Sequence, residues 1–403
     1  MSLQSVWIIN QYAGSPYHGM EYRHYYMAKA LIKKGISVTI ISGSQSHLFS
    51  NKPYVSKNFT NEQIDGINYW WIKIPNYQKS ISIGRIWNML QFMFKLRKFP
   101  TEQLPKPIAI LVSSPSLFPI VVAKKWAKKL NAKLIFEIRD IWPLTLQELG
   151  NLSSYHPLIL MMRYFEKYGY AQADKIASLL PTAKEYFRSS GMQENKFIYT
   201  PNGIDLNGAK IAENVDAKIK NLFPSKFIIG YAGTLGKANS LETLIETAHL
   251  MESNDKIHFV IVGKGDQEQV LKEKAKGLKN ISFIPAVKKN QIPDLLNLFH
   301  VAYIGLKEEP LFRFGVSPNK LFDYMYAKKP IVYSVNSGNK PIEEAQCGLS
   351  VEAENPKAVA EAILKLYHLP EGERTLMGEN ARAYVLKYHS YDKIVEKMIG
   401  IWA

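Results

Sequence analysis

Two successive series of alternating strand-like and helix-like segments constrain the fold of this chain more than any other feature. In the first half, short apolar stretches predict buried strands at Val6–Asn10, Ser37–Ser42, Ile67–Ile74, Ile108–Val112, Leu134–Ile138 and Lys175–Leu179. In the second half they predict strands at Phe227–Tyr231, His258–Val262, Ile281–Ile284, Val301–Ile304 and Pro330–Tyr333. Helical patterns separate most of these strands, which is typical of parallel sheets covered on both faces. We therefore expect an α/β fold with two doubly wound, Rossmann-like domains.

The length of the chain agrees with two domains, because a chain of 403 residues is too long for one ordinary hydrophobic core. The segment Pro201–Asp205, with the sequence PNGID, separates the two series. We expect an N-terminal domain over residues 1–200 and a C-terminal domain over residues 201–387. Residues 388–403 are expected to form an amphipathic helix that packs back on the first domain.

Composition favours a cytoplasmic protein. The single cysteine, Cys347, excludes a disulfide framework and suits a reducing compartment. The first ten residues lack the basic segment and apolar run of a signal peptide. The uncharged stretch 107–123 approaches the length of a membrane span, but three prolines interrupt it, so we expect a strand, a loop and a helix start there.

The segment 315–332, GVSPNKLFDYMYAKKPIV, carries the clearest binding signal of the second domain. Ser317, Pro318 and Asn319 predict a helix start whose first amides point towards an anion. Lys320 adds a positive charge there, and Asp323 lies on nearly the same helical face. This pattern suits a nucleotide, with lysine and amides at the diphosphate and the carboxylate at the ribose. An ordinary capped helix with an exposed Lys–Asp pair is the competing interpretation.

Two glycine-bearing loops follow predicted strands of the second domain. Gly233 and Thr234 precede Lys237 in one loop, and Gly263 precedes Lys264 in the other. Both loops fall at the carboxyl ends of parallel strands, where open α/β sheets bind ligands. Neither matches GxxxxGK[ST], so a P-loop nucleotidase is disfavoured.

A glycine-containing loop also follows the first strand of the N-terminal domain. Its spacing, with Gly19 ahead of Glu21, departs from GxGxxG, and the second strand ends at Ser42 without an acidic residue. A dinucleotide-dependent dehydrogenase is therefore disfavoured. Glu21, Arg23 and His24 are expected to open a helix and to bind hydroxylated or anionic groups of an acceptor. Charges at a helix terminus without any ligand are the alternative.

A polar cluster ends another predicted strand, in the sequence Glu137-Ile138-Arg139-Asp140. Polar groups at the end of a buried strand are costly unless they are paired or functional. We expect Asp140 to lie at the carboxyl end of the strand as a catalytic candidate and Arg139 to contact the acceptor. An internal ion pair between Arg139 and a carboxylate is the competing interpretation.

The net charge of +16 is compatible with nucleic acid, an anionic membrane or a phosphorylated substrate. The stretch 85–99, RIWNMLQFMFKLRKF, combines apolar residues with four unopposed basic residues: Arg85, Lys95, Arg97 and Lys98. Such a basic amphipathic helix can lie on an anionic bilayer surface, whereas an interior helix with one solvated basic face is the alternative. No recognised nucleic-acid-binding module is present, so nucleic acid is not expected as a partner.

Metal-binding motifs are lacking in the sequence. It contains no Asp-x-Asp and no HExxH, and one cysteine cannot build a thiolate cluster. We expect no essential metal and no cofactor beyond the donor substrate, because helix amides and lysines can balance the charge of a leaving diphosphate.

In combination, these motifs resemble the retaining GT-B glycosyltransferases of the family-four type. The sequence PNGID resembles an interdomain signature of that family, and IVGKGDQEQVLKEKAKGLKNISFIPAV resembles its strand–loop–helix–strand core. NQYAGSPYHGMEYRHYYMAKAL and EIRDIWP resemble a subgroup that includes the WbuB-type transferases of bacterial O-antigen and capsule assembly. The resemblance covers nearly the whole chain and implies two Rossmann-like domains whose parallel sheets face a central cleft.

Position by position, the resemblance implies that Lys320 and the Pro318–Asn319 turn hold the donor diphosphate and that Asp323 binds ribose. The first glutamate of the family's E-x7-E motif falls at Gly315, and the usual phosphate-binding arginine falls at Thr234, with Lys237 as a plausible partner. Asp140 matches the position of a cleft histidine or aspartate near the reacting sugar. We also expect these residues in the nucleotide-sugar site: Gly19, Gly233, Gly263, Lys264, Pro285 and Ser317.

The expected function is therefore transfer of a sugar from a UDP-sugar to a polyprenyl-diphosphate-linked saccharide at the inner face of the bacterial plasma membrane. The resemblance implies retention of anomeric configuration. Hexoses and N-acetylhexosamines are the expected donors, with an N-acetylated deoxy-amino sugar among them. A UDP-sugar 2-epimerase, which shares the two-domain architecture, is the alternative.

Overall fold

The computed structural model describes residues 4–77, 83–206, 208 and 213–402. It divides into two compact units, one formed by residues 1–201 with 391–403 and the other by residues 202–390. The predicted boundary at 200/201 lies one residue from this division.

The described part of the first unit contains an eight-stranded sheet in the order β3-β4-β2-β1-β5-β6-β7-β8. The strands are β1 (Ser5–Ile9), β2 (Ser37–Gly43), β3 (Phe59–Ile64), β4 (Ile67–Ile72), β5 (Ala109–Ser113), β6 (Lys133–Ile138), β7 (Lys175–Ser178) and β8 (Phe197–Tyr199). All neighbours pair in parallel except β3 and β4. Consecutive strands extend outward in both directions from β1 and β5, as in doubly wound sheets.

Two strands of this sheet were not predicted, namely β3 and β8. Strand β3 has the polar sequence FTNEQI and lies at the sheet edge, so it lacks the apolar run of a buried strand. It forms a hairpin with β4 through Asp65 and Gly66, which have φ values of 49° and 82°. An Asp-Gly pair favours this two-residue turn, because both of its residues need positive φ. Strand β8 has only three residues, too few for a periodic signal.

Helices cover the first sheet: α1 (Arg23–Lys33), α2 (Ile83–Leu96), α3 (Ile120–Leu130), α4 (Leu144–Glu148), α5 (Pro157–Gln172) and α6 (Lys184–Ser189). The last helix of the chain, Tyr391–Trp402, also belongs to this unit and packs against α1. Tyr26 stacks on Tyr391 with ring centroids 5.4 Å apart, and Lys34 Nζ donates to Glu396 Oε1 over 2.9 Å. Its buried apolar residues, Ile394, Val395, Met398 and Trp402, explain why the amphipathic segment ends in this core.

The second unit contains a six-stranded parallel sheet in the order β11-β10-β9-β12-β13-β14. Its strands are β9 (Phe227–Ala232), β10 (Ile257–Val262), β11 (Ile281–Ile284), β12 (Val301–Gly305), β13 (Ile331–Ser334) and β14 (Gly348–Val351). The strand order corresponds to 3-2-1-4-5-6, which places the topological switch point between β9 and β12. Strand β14 was not predicted, because its partly exposed sequence GLSV has no buried apolar run.

The helices of the second unit are α7 (Ala217–Lys220), α8 (Leu241–Leu250), α9 (Glu268–Lys274), α10 (Ile292–Asn297), α11 (Asn319–Tyr326), α12 (Pro341–Ala345), α13 (Pro356–His368) and α14 (Glu371–Tyr388). The C-terminal helix, α15, thus begins at Tyr391 rather than near residue 388. Apolar clusters on the two faces of the sheet complete the core of this unit. Among the residues that the structure describes, no helix is both long and apolar enough to cross a membrane.

Candidate functional site

Lys320 lies in the first turn of α11, beside the switch point of the second sheet. Its ammonium group donates to the Tyr231 hydroxyl over 2.9 Å and also to Asn239 Oδ1. The Nζ atom lies 4.4 Å from the centroid of the Tyr231 ring, a cation–π distance. Burial lowers the pKa of Lys320 to about 7. Because Tyr231 is the penultimate residue of β9 and α11 follows β12, these contacts connect both sides of the crevice where such sheets bind ligands.

Two glycine loops leave bare backbone next to Lys320. A Cβ atom at Gly263 would lie 1.9 Å from the Gly233 carbonyl oxygen, and one at Gly233 would lie 3.4 Å from Lys320 Cε. The Leu235 N–H donates to the Lys264 carbonyl over 3.0 Å, which joins the two loops. Glycine is therefore required at position 263 by close packing, and the backbone N–H groups of Gly233 and Gly263 donate to the carbonyls of Val262 and Ile284.

Four other predicted donor residues lie in these loops or beside them, with exposed side chains: Thr234, Lys237, Lys264 and Pro285. The Thr234 carbonyl accepts hydrogen bonds from the Tyr231 hydroxyl over 2.7 Å and from Asn239 Nδ2 over 2.9 Å. Lys237 begins a short 3-10 turn that ends at Asn239. The exposed lysines therefore surround the site, whereas the contacts to Lys320 come from Tyr231 and Asn239.

Sequence reasoning missed Tyr231 and Asn239. Tyr231 is an apolar position in a buried strand, so its sequence pattern indicates only core packing. Asn239 lies in a loop without a recognisable motif. The only sequence signal for these two residues was that they lie close in sequence to the loop that begins at Gly233.

Ser317 and Asp323 both have partners within the second unit. Ser317 Oγ accepts a hydrogen bond from the Asn202 backbone N–H over 3.0 Å, so this hydroxyl holds the chain in place. The residue that caps α11 is Pro318, which makes no side-chain capping bond, while Asn319 is exposed as the first helical residue. Asp323 forms a 2.8 Å ion pair with Lys289, which follows β11. The predicted ribose carboxylate thus needs to exchange this partner for a hydroxyl.

Arg23 and His24 enter a buried network of the first unit rather than pointing to solvent. Glu137 accepts from Arg23 Nε over 3.0 Å and from Ser113 Oγ over 2.7 Å, and it lies 2.8 Å from His24 Nε2. Arg23 also donates to the Thr200 carbonyl over 2.8 Å. Burial raises the pKa of Glu137, but the charges of Arg23 and His24 outweigh it and lower that pKa well below its ordinary value.

This network corrects the sequence-based expectation for two acceptor residues. Arg23 and His24 are 3% and 0% exposed, because the first turn of α1 packs against the carboxyl end of β6. Their polar groups compensate the buried charge of Glu137, which would be costly without them. They therefore stabilise the carboxyl edge of the sheet as buried partners of Glu137 instead of contacting an acceptor directly.

Glu21, Arg139 and Asp140 lie nearer the surface at the same sheet edge. Arg139 Nη2 pairs with Glu21 Oε2, and the Arg139 backbone N–H donates to Ser114 Oγ over 2.9 Å. The internal ion pair considered from the sequence is thus present. Burial raises the pKa of Asp140 above its ordinary value, although the adjacent Arg139 opposes that shift. Neighbouring protein atoms desolvate its carboxyl group, yet Asp140 remains exposed, so this group is accessible to a substrate.

Gly19 has a structural explanation in the first unit. Its φ is +110°, and a Cβ atom there would lie 2.7 Å from the backbone nitrogen of Ser50. It forms isolated bridges with Ser15 and Phe49. The glycine is needed for this loop packing, so its presence gives no support to a nucleotide-sugar contact.

Helix α2 has some apolar side chains that are buried and others that are exposed to solvent. Met89, Phe92 and Leu96 are fully buried, whereas Trp87 and Phe94 are 54% and 45% exposed. Arg97 and Lys98 follow the helix and are exposed. Arg85, predicted as a membrane-facing charge, instead donates from Nε to the Tyr12 hydroxyl over 3.2 Å. The difference arises because residue 85 lies in the first turn, beside the loop that follows β1.

A cavity of about 1040 Å³ opens elsewhere in the second unit. Most of its lining residues come from the loops after β12 and β13, from β14 and from the loop after it, and they include Glu308, Arg313, Asn339 and Glu354. None of the predicted donor residues lines it. Within the described ranges, no group of three or more His, Cys, Asp or Glu side chains is arranged to hold a metal ion.

Comparison with known families assigns both halves of the chain. Residues 17–207 match the profile described as Glycosyltransferase Family 4, and residues 226–368 match the one described as Glycosyl transferases group 1. The chain is similar to the putative colanic acid biosynthesis glycosyl transferase WcaI of Escherichia coli (strain K12). The identity is 26% over 297 residues, which cover 68% of this chain and 72% of the relative.

Comparison with solved structures confirms the expected GT-B fold. The sucrose-phosphate synthase of Thermosynechococcus elongatus superposes with a TM-score of 0.71 at 16% identity, covering 99% of this chain and 98% of that structure. An E. coli trehalose-6-phosphate structure bound with UDP-2-fluoro glucose superposes with a TM-score of 0.75 at 11% identity, covering 99% of both chains.

Proposed function

Because this chain is a GT-B glycosyltransferase with a family 4 region followed by a group 1 region, we propose that it transfers a sugar from a UDP-sugar to a polyprenyl-diphosphate-linked saccharide, with retention of anomeric configuration. The reaction belongs to bacterial surface polysaccharide synthesis in this proposal. Support for that setting comes from the similarity to WcaI, which is named for colanic acid biosynthesis.

The observation that carries the proposal is the position of Lys320 at the switch point of the second sheet. Its ammonium group lies beside Gly233, where bare backbone lets a diphosphate approach closely. A bound diphosphate would favour the protonated amine, because an adjacent negative charge raises the pKa of a lysine. Lys320 then stabilises the charge that develops on the leaving UDP during transfer.

Uridine is the proposed base of the donor nucleotide. The E. coli structure that superposes on 99% of this chain holds UDP-2-fluoro glucose, which supports a UDP-sugar here. Asp323 lies on the same helix as Lys320, three residues further along, and its carboxylate forms an ion pair with Lys289. We assign Asp323 to the ribose hydroxyls, with Lys289 as the partner that it releases.

In the first unit, we assign the carboxyl edge around Asp140 to the acceptor. Arg139 and Glu21 pair beside Asp140 and fix its surroundings. When retention proceeds without a covalent intermediate, the acceptor hydroxyl attacks from the face that the leaving diphosphate departs from. In this mechanism the departing phosphate oxygen takes the hydroxyl proton, and Asp140 orients the hydroxyl. No metal ion enters the proposal, since Lys320 and the exposed Lys237 and Lys264 supply the charge compensation in it.

A peripheral position on the inner face of the plasma membrane completes the proposal. Trp87 and Phe94 are exposed on α2, and Arg97 and Lys98 follow directly. Exposed aromatic side chains beside basic residues suit insertion at an anionic bilayer surface. The lipid part of the acceptor would be held in that same surface.

The reaction itself is the test of this proposal. Purified protein is incubated with a UDP-sugar panel and a polyprenyl-diphosphate saccharide, with and without EDTA. We expect release of UDP, extension of the lipid-linked saccharide, an unchanged anomeric configuration by NMR and no loss with EDTA. Isomerisation of the UDP-sugar in the absence of acceptor would instead establish the epimerase alternative.

A further inference from the structure

Two loops at the carboxyl edge of the first sheet converge on the guanidinium group of Arg85, at the start of α2. Its Cζ atom lies 5.1 Å from the centroid of the Tyr12 ring and 5.7 Å from that of Trp142. Tyr12 follows β1 and Trp142 follows β6, whereas Arg85 belongs to the first turn of α2. The aromatic faces thus hold one cation at the edge where doubly wound sheets bind ligands.

The walls of this site are rigid. Tyr12 is 2% exposed, and its backbone N–H donates to Asn10 Oδ1 over 2.7 Å. The edge of His47 meets the Tyr12 ring at a centroid distance of 6.3 Å, and His47 Nδ1 lies 2.7 Å from the Tyr77 hydroxyl. A cation held by packed aromatic rings loses little conformational freedom when it binds a ligand.

Two of the side chains that surround Arg85, Tyr12 and His47, are uncharged near pH 7. Burial raises the pKa of Tyr12 well above its ordinary value, so the phenol accepts the Arg85 hydrogen bond without forming a phenolate. Burial also lowers the pKa of His47, which Arg85 lowers further, so that ring is neutral near pH 7. Asp140, the proposed acceptor residue, is one carboxyl group that interacts electrostatically with Arg85.

We propose that Arg85, Tyr12 and Trp142 form the subsite for the diphosphate of the acceptor. A guanidinium group binds phosphate oxygens through two parallel hydrogen bonds, and its planar fork is already oriented here by two rings. The half-buried indole of Trp142 offers an apolar face to the adjoining sugar or isoprenoid. Arg85 is thus a substrate ligand and separate from the charges that attract the protein to a membrane. This assignment rests on the proposed transferase function.

The experiment compares two acceptors that differ in the presence of the diphosphate: a saccharide on a water-soluble short-chain polyprenyl diphosphate, and the same saccharide joined to the same polyprenyl chain by a neutral linker. Arg85→Gln is expected to raise the KM for the diphosphate acceptor about tenfold or more, the loss of one charge-assisted contact. The KM for the neutral acceptor and the KM for the UDP-sugar are expected to stay unchanged. Arg85→Lys, which keeps the charge without the fork, should give an intermediate value.

Arg188→Gln is the matched control, because Arg188 is an exposed arginine of the same unit, paired only with Glu185 through an i,i+3 contact in the described structure. It should behave as the wild type with both acceptors. Equal losses on the charged and neutral acceptors in the Arg85 variant would overturn the subsite. So would a fall in kcat with both KM values unchanged, since that pattern indicates a role in orienting Asp140.

Direct binding keeps this inference separate from the transferase proposal. Calorimetry with the short-chain polyprenyl diphosphate alone should show weaker binding to Arg85→Gln than to the wild type and the Arg188→Gln control. If the wild type binds this probe through Arg85 but transfers no sugar, the proposed function fails and the subsite stands. If the three proteins bind it equally, the subsite is contradicted whatever the enzyme's activity.

Discussion

The backbone N–H of Asn202 donates to Ser317 Oγ over 3.0 Å, and the Asn202 side-chain amide donates to the Ser317 carbonyl over 2.8 Å. This double contact fixes the chain just after the unit boundary to the start of α11. Because Lys320 lies three residues further on, the position of its ammonium group depends on a residue of the PNGID segment. Asn202 is therefore a positioning residue for the proposed donor site.

Asn202→Ala is expected to raise the KM for the UDP-sugar about three- to tenfold, because the start of α11 loses its side-chain anchor while the backbone N–H bond to Ser317 remains. The unfolding free energy should fall by about 1–2 kcal/mol, as for the loss of partly buried hydrogen bonds. Steady-state kinetics and chemical denaturation measure the two effects. Asn195→Ala, at an exposed position of the first unit, is the control, and equal KM values in both variants would contradict the positioning role.

The pKa of Lys320 predicts how donor binding depends on pH. Burial holds this pKa at about 7, so the amine is protonated at pH 6 and largely neutral at pH 8.5. Binding of an anionic diphosphate requires the charged form, and the KM for the UDP-sugar should therefore rise about thirtyfold between these pH values. Kinetics with saturating acceptor across that range measure the rise. A flat profile would remove Lys320 from the diphosphate site.

Asn239→Ala sharpens the same test, because Asn239 Oδ1 accepts a hydrogen bond from the ammonium group of Lys320. Without this acceptor the charged form is less stable, so the rise in KM should begin at a lower pH. Asn221→Ala, at an exposed helix end, should leave the wild-type profile unchanged. A profile that keeps its midpoint but loses kcat at every pH would instead indicate general damage to the loop.

The buried carboxyl group of Glu166 should make the first unit less stable as pH rises. Burial raises its pKa to about 7, although Tyr170 and Tyr186 donate to it over 3.1 and 3.2 Å. The folded state therefore holds a proton that the unfolded chain releases near its ordinary pKa, and stability falls between about pH 4.5 and pH 7.

Glu166→Gln removes this dependence and should stabilise the first unit by about 1–2 kcal/mol at pH 8, a value below the full linkage energy because the site relaxes. At pH 4.5 the variant and the wild type should be nearly equal. Denaturation at both pH values, followed by fluorescence, measures the difference. Glu185→Gln, at an exposed glutamate of α6, serves as the control and should leave the unfolding free energy nearly unchanged at both pH values.

His389 acts in the opposite direction in the second unit. Burial lowers its pKa to about 4, and its ring stacks on Phe322 with centroids 4.5 Å apart. The folded state therefore holds a neutral ring, and the second unit should lose stability as pH falls from about 6.5 towards 4. His389→Phe keeps an aromatic ring at this position and should flatten that part of the profile. An unaltered slope would assign the acid sensitivity to other groups.

The fold class could be predicted because buried parallel strands are continuous apolar runs separated by helical patterns. Every predicted strand is present with small shifts at its ends. Three strands escaped prediction, since β3 is a polar edge strand and β8 and β14 are short. Their pairing depends on tertiary contacts that leave no local periodicity.

The candidate site was predictable only where a local motif marks it. Lys320 follows a helix-start pattern and lies beside the glycine loops as expected from the sequence. By contrast, the direction of a side chain around a helix follows from packing, so the charge of Arg85 suggested a membrane contact and its ring contacts were missed. Arg23 and His24 likewise carried a polar signal, yet the buried Glu137 that they compensate comes from a strand more than one hundred residues away.

The exposed aromatic residues of α2 predict how the protein binds a membrane. Trp87 and Phe94 are 54% and 45% exposed, although the opposite side of the helix is buried. Replacing both by Ser should reduce flotation with vesicles of anionic lipid several-fold, because insertion of two aromatic rings contributes about 1–3 kcal/mol. The double variant should retain its activity on a water-soluble acceptor, since neither side chain belongs to the Arg85 subsite.

Leu222→Ser provides the matched control for this membrane test, because Leu222 is 51% exposed in the second unit and outside the proposed surface. Vesicles of neutral lipid should bind the wild type weakly, and equal flotation of all variants on anionic vesicles would contradict a membrane role for α2.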